Sequence, residues 1–210
     1  MSEKSTNKYA IVDLEATSAS STACIIQVGI VIMQNGRVID EFASDVNPHQ
    51  KLDNHIVHLT GITDQQLSQA PDFSEIARTI FELIEDCIFV AHNVKFDANL
   101  LAEALFMEGF ELRTPRVDTV ELAQVFYPTL EQYNLSYLSR VLNLDLAQAH
   151  TAIEDARATG KLLLHLMDKI ASLPRQTIDM LLTFSDNLLF ESELVIRDAI
   201  KGKTNSLSKE

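Results

Sequence analysis

Apolar residues recur along this chain with two periods, and the switch between them outlines the fold. Lys8–Val12 (KYAIV) is a short β-rich run that ends at an acidic residue, and Ile25–Met33 (IIQVGIVIM) is a longer run rich in β-branched residues. Asn35-Gly36 follows, a pair that turns a hairpin in two residues because both adopt positive φ cheaply. Arg37–Val46 then reads as the returning strand, with the first strand beside the second. His49–Gln66 reads as loop with short helical pieces. Phe73, Ile76, Ala77, Ile80, Phe81 and Ile84 have helical spacing, and Pro71 suits the start of that helix. Cys87–Ala91 (CIFVA) is a buried strand by length and flanks. Asp97–Glu108 is a second helix, stopped near Gly109, and Arg116–Asp118 is a brief strand. Thr119–Phe126 and Leu135–Leu142 read as helices separated by Pro128, and Ala152–Ile170 as a long amphipathic helix. A strand meander followed by alternating strands and helices predicts an α/β domain: a mixed central five-stranded sheet flanked by helices in three layers. Pro174 marks a break. Beyond it Gln176–Phe184 and Glu191–Ile200 have helical spacing around a turn at Ser185-Asp186-Asn187, which predicts a domain over residues 1–172 and a C-terminal helical extension over 173–210.

Composition narrows the setting. No apolar run reaches the roughly 18 residues that span a bilayer, and Met1–Lys8 is polar, so neither a membrane segment nor a signal peptide is expected. Cys24 and Cys87 both lie in apolar segments and read as small core residues, in keeping with a reducing cytoplasm. The net charge is −13, and residues 171–210 hold six acidic and five basic residues, so −12 falls on residues 1–170. That imbalance opposes phosphate binding by side chains alone, and a nucleic-acid partner would need bound metal to supply positive charge at the contact.

Three clusters carry candidate chemistry. Asp13-Leu14-Glu15 ends the first strand, and residues two apart on a strand share a side, so both carboxylates point together while Leu14 enters the core. His92-Asn93-Val94-Lys95-Phe96-Asp97 follows the buried strand. Asp97 there reads either as a helix N-cap or as a third carboxylate, since the C-terminal ends of neighbouring strands are where such sheets bind ligands. His150-Thr151-Ala152-Ile153-Glu154-Asp155 enters the long helix, with Thr151 at the cap. Asp155 lies on one helical face with Ala152, Ala158 and Thr159, small residues that permit a close approach, while Glu154 and Arg157 read as ordinary solvated residues.

In that order and context the clusters resemble the DnaQ-like DEDDh 3′→5′ exonuclease family. Asp13 and Glu15 match its first motif, Asp97 in HNVKFD its second, and His150 with Asp155 its third. His58-Leu59-Thr60-Gly61-Ile62-Thr63 is similar to the family's loop between the first two motifs. The resemblance covers Tyr9–Ile170. Ala16 and Ser18 depart from the usual Thr-Thr-Gly that follows the first carboxylates. The resemblance implies a ribonuclease H-like fold and hydrolysis of a nucleic acid from its 3′ end to nucleoside 5′-monophosphates. It implies two Mg²⁺ or Mn²⁺ ions held by Asp13, Glu15, Asp97 and Asp155, with Asp13 bridging them, and a general base at His150; all-oxygen ligands suit such hard cations, and an ordinary imidazole pKa of about 6.5 suits that base. It also implies substrate contacts at Thr17, Ile62, His92 and Asn93. Single-stranded DNA is the favoured substrate. The competing readings are a 3′ exoribonuclease of the same fold and a non-catalytic nucleic-acid or partner-binding module. A Mg²⁺-dependent phosphatase ranks lower, because nothing resembles its nucleophile motif. The junction from Leu173 through Leu189 resembles that of Gram-positive DinG-type helicases, which implies a helicase partner, covalently linked or separate, or else a polymerase. Gly202-Lys203-Thr204 is not a phosphate-binding loop, because Arg197 stands where that loop needs its first glycine.

Overall fold

The computed structural model describes residues 7–18, 20, 23–144, 151–185 and 188–207. Strands β1 (Lys8–Ala16), β2 (Ile25–Gln34) and β3 (Arg37–Asp45) form an antiparallel meander. The short helices α1 (Asn54–Thr60) and α2 (Asp64–Leu67) and the longer α3 (Phe73–Ile84) lead to β4 (Ile88–Ala91). Helix α4 (Val94–Met107), β5 (Arg116–Asp118), α5 (Thr119–Phe126) and α6 (Leu135–Val141) follow. The chain then forms α7 (Ala152–Ser172), α8 (Arg175–Phe184) and α9 (Glu193–Leu207). The sheet order is β3-β2-β1-β4-β5, with β4 and β5 parallel to β1. This is the expected mixed five-stranded sheet.

Alternation along β1 divides the interior. Tyr9 and Ile11 face a core built with α5, α6 and α7, while Ala10, Val12 and Leu14 face one built with α3 and α4. Helices thus cover both faces, giving three layers. Asn35 and Gly36 hold φ of 52° and 72° in the β2–β3 turn, as the Asn-Gly pair predicts. Among the described residues no helix is long and apolar enough to cross a membrane.

Three local readings shift. β1 extends past Val12 to Ala16, so Asp13 and Glu15 lie inside the strand, opposite Gly29 and Gln27 of β2. Helix α4 begins at Val94, three residues early, because Asn93 takes a left-handed conformation (φ 73°) and its N–H donates to Asp118 Oδ1 at 3.0 Å. Asp97 is therefore inside the helix and not its cap. The extension is also continuous with the domain. Ile178 of α8 and Val195, Ile196 and Ala199 of α9 are buried in the core that contains Leu162, Leu166 and Ile170 of α7. Asp198 of α9 accepts hydrogen bonds from Tyr9 Oη (2.7 Å) and Asn7 Nδ2 (2.9 Å). Of the expected turn at 185–187, residues 186 and 187 lie outside the described residues.

Candidate active site

The two β1 carboxylates continue the face that Tyr9 and Ile11 begin, so they point toward α7. Helix α7 crosses β1 and β2 with its N-terminus at this end, and Gly29 is why it can. A Cβ there would lie 2.2 Å from the Ala152 carbonyl carbon and 2.3 Å from the Ile153 nitrogen. Ala152, Ala158 and Thr159 are buried, as the small-residue face predicts. Asp155, in the first turn of α7, then meets the β1 pair: one carboxylate oxygen each from Asp13, Glu15 and Asp155 lie within 4.8 Å of one another. Arg157 and Glu154, expected to be merely solvated, take part in fastening this helix. Arg157 pairs with Glu154 and, at 3.0 Å from Nε, with Glu41 of β3.

Asp97 approaches from the opposite face. It is 5% exposed, and its Oδ1 accepts the Leu14 N–H at 3.0 Å, which ties α4 to the strand between the two β1 carboxylates. Crowded acids in a poorly solvated place hold their protons. The Asp13 carboxyl is raised well above the usual range, first by burial and then by Asp97, Asp155 and Glu15. Asp97 is pushed up to about 7, chiefly by burial, although the N–H bonds from Leu14 and from its own backbone oppose the shift. Three converging carboxylate oxygens, one of them on an acid whose ionisation burial and its acidic neighbours oppose, fit a hard divalent cation, which would offset that repulsion.

Beside Glu15 lies an open pocket of about 420 Å³ whose walls include Thr17, His55, Ile56, Leu59 and Phe96. Thr17 Oγ1 accepts the Cys24 N–H at 3.0 Å, which shapes that rim. Ile62 is not on the wall. It is 4% exposed and packs with Ile26, Leu52, Ile56 and Leu67 behind it. His92 is turned into the fold, with Nδ1 2.9 Å from Thr119 Oγ1 and Nε2 2.7 Å from the Tyr133 carbonyl, and burial pulls its pKa down. Asn93 is exposed and borders a second pocket, of about 460 Å³, on the other side of Phe96. His150 lies outside the described residues.

Sequence reading missed Phe96, His55 and Leu59. Phe96 is the large apolar residue in the polar run before Asp97, and His55 and Leu59 are four apart on α1, so spacing carried a signal for each. Gln27, which accepts the Ala152 N–H at 2.8 Å, gave none.

Comparison with known proteins agrees with this geometry. The RNase T family model, described as exonuclease, matches residues 10–163. The "3'-5' exonuclease DinG" of Staphylococcus aureus is 38% identical over 185 residues, covering 87% of this chain and 21% of the relative, so the chain spans about a fifth of that protein's length. Exonuclease X in complex with 5′ overhanging duplex DNA superposes with a TM-score of 0.64 at 20% identity, covering 82% of this chain and 98% of that one. The nuclease domain of 3′hExo, a DEDDh family member bound to rAMP, superposes with a TM-score of 0.67 at 16% identity, covering 79% and 94%. At such identities the superpositions speak for the fold. The family match runs over most of the chain and spans the positions of all three motifs, and the chain therefore belongs to the exonuclease family.

Proposed function

We propose that this chain removes nucleotides from the 3′ end of single-stranded DNA, as the exonuclease part of a longer cytoplasmic DinG-type protein whose following domain is a helicase. The observation that carries the reading is the meeting of Asp13, Glu15 and Asp155, with Glu15 also on the wall of an open pocket of about 420 Å³. The family generally uses divalent metal ions, and here the ligands would be Asp13, Glu15 and Asp155, with Asp97 contributing through its contact with the strand. Two bound Mg²⁺ or Mn²⁺ ions would supply the positive charge that polarises the last phosphodiester and stabilises the departing oxygen.

The chain's own residues do the rest. Phe96 and Leu59 present apolar surface to a terminal base, and the backbone around Thr17 faces the sugar. His150, at one of its ring nitrogens, takes the proton from the attacking water. The new bond joins water oxygen to phosphorus, the bond to the 3′ oxygen of the preceding nucleotide breaks, and a nucleoside 5′-monophosphate leaves. The acidic surface gives the domain little grip on a phosphate backbone, so a linked helicase would deliver the strand. A second reading, RNA as substrate, is favoured by the rAMP bound to 3′hExo. A 5′-labelled DNA oligonucleotide and its RNA twin, incubated with Mg²⁺ or Mn²⁺, distinguish the two. The expected result is a ladder shortening from the 3′ end, faster on DNA, and abolished by EDTA and by Asp13→Ala. Folded, metal-binding protein that shortens neither strand would overturn the proposal in favour of a binding module.

A further inference from the structure

The first turn of α7 carries N–H groups that its own residues cannot satisfy. Thr151 stands at the N-cap position in an extended conformation, yet its hydroxyl caps nothing in that turn. The partner comes from the sheet instead: Ala152 N–H donates to Gln27 Oε1 at 2.8 Å. Gln27 lies opposite Glu15 on β1 and opposite Asp45 on β3. Its Nε2 donates to Asp45 Oδ1 at 2.7 Å, and Asp45 Oδ2 in turn accepts from Gln66 Nε2 of α2 at 2.7 Å.

We propose that Gln27 is a positioning residue for the carboxylate cluster, acting through α7, and that Asp45 and Gln66 fix the direction in which its amide acts. An amide has a donor end and an acceptor end, whereas an ionised carboxylate only accepts. Asp45 therefore claims the NH₂ end of Gln27 and leaves the oxygen facing α7. Gly29 sets how closely the helix approaches the sheet, and the Gln27 bond sets where along the strand it starts. Asp155 follows Ala152 by less than one turn, and its own N–H is held by the Thr151 carbonyl at 3.0 Å. An error at Ala152 is therefore passed to the Asp155 carboxylate. Gln66 belongs to the helix that follows α1, and α1 lines the pocket through His55 and Leu59, so the relay also joins the pocket wall to the cluster.

The inference rests on the exonuclease reading, and the wild-type protein tests that reading in the same assay. Three variants test the relay. Gln27→Leu removes the acceptor. Gln27→Glu keeps an acceptor but sets a carboxylate against Asp45. Gln27→Glu combined with Asp45→Asn restores a donor between them. Steady-state hydrolysis of a labelled oligonucleotide gives kcat and KM, and the melting temperature with and without Mn²⁺ reads metal binding without turnover. Gln27→Leu and Gln27→Glu are expected to lose roughly 10- to 100-fold in kcat, the range that ångström-scale misplacement produces, with KM nearly unchanged. Both should also lose part of the Mn²⁺-induced stabilisation, and the double variant should recover most of both quantities. A double variant no better than Gln27→Glu, or a Gln27→Leu protein with wild-type kcat, overturns the inference. An inactive wild type overturns the exonuclease reading instead.

Discussion

Replacing Gly29 by alanine tests the packing that assembles the site. The added methyl would lie 2.2 Å from the Ala152 carbonyl carbon, 2.3 Å from the Ile153 nitrogen and 2.4 Å from the Ala152 oxygen. Carbon contacts settle at about 3.5–4.0 Å. The obstacle is backbone on both sides, so no side chain can swing aside, and the start of α7 must retreat by more than about 1 Å. Asp155 is three residues further on and must follow, opening a cluster whose oxygens now lie within 4.8 Å of one another. Overpacking of this kind costs about 1–3 kcal/mol, or ~2–12 °C in melting temperature for a chain of this size. Displacing a reacting group by ~1 Å costs about 100-fold in rate. The assay is kcat on a labelled oligonucleotide with Mn²⁺, using protein shown by circular dichroism and a cooperative melt to be folded. The expected outcome is a folded but lower-melting protein with kcat down about 100-fold and weakened Mn²⁺ stabilisation. Folded Gly29→Ala protein with wild-type kcat would refute the claim that the close approach of α7 sets the site.

Three further outcomes follow from the same geometry. Asp13→Asn should abolish activity while raising the melting temperature of the metal-free protein near neutral pH, because burial, and after it the neighbouring acids, penalise the ionised form of this carboxyl and the amide cannot ionise; a lower melting point in EDTA would contradict that argument. The Asp97 carboxyl is pushed up to about 7 by burial, so between its unfolded value near 4 and pH 7 the folded chain binds a proton that the unfolded chain lacks. Metal-free stability should therefore fall as pH rises through that window, and EDTA melts between pH 5 and 8 should show a steeper fall for wild type than for Asp97→Asn. Deleting residues 173–210 strips Ile178, Val195, Ile196 and Ala199 from the core against α7. At ~1.5–3 kcal/mol for each large side chain that loss approaches the whole stability of about 5–15 kcal/mol of an ordinary domain, so the truncated chain should be largely unfolded or aggregated by circular dichroism.

The sequence by itself determined the order of the elements and which carboxylates were candidates. Period-two runs gave the strands, Asn35-Gly36 gave the hairpin, and the i, i+2 spacing of Asp13 and Glu15 placed both carboxylates on one side. These signals were legible because each is local: a strand's alternation and a turn's φ preference are set by neighbouring residues. Tertiary structure decided what depends on distant partners. Asp97 read either as a cap or as a third carboxylate, and the fold decides against the cap: it lies inside α4 and accepts the N–H of Leu14, 83 residues away. Thr151 looked like the cap of α7, yet Gln27, 125 residues away, takes that part. Ile62 looked available to a base, yet the cluster around Leu52 and Leu67 buries it. The helices after Pro174 looked like an appendage because their apolar residues are periodic whatever they pack on, and only the contact with α7 makes them core. A hydrogen bond or a buried contact belongs to two segments at once, and which two segments meet is settled by the sheet order and the packing of its faces.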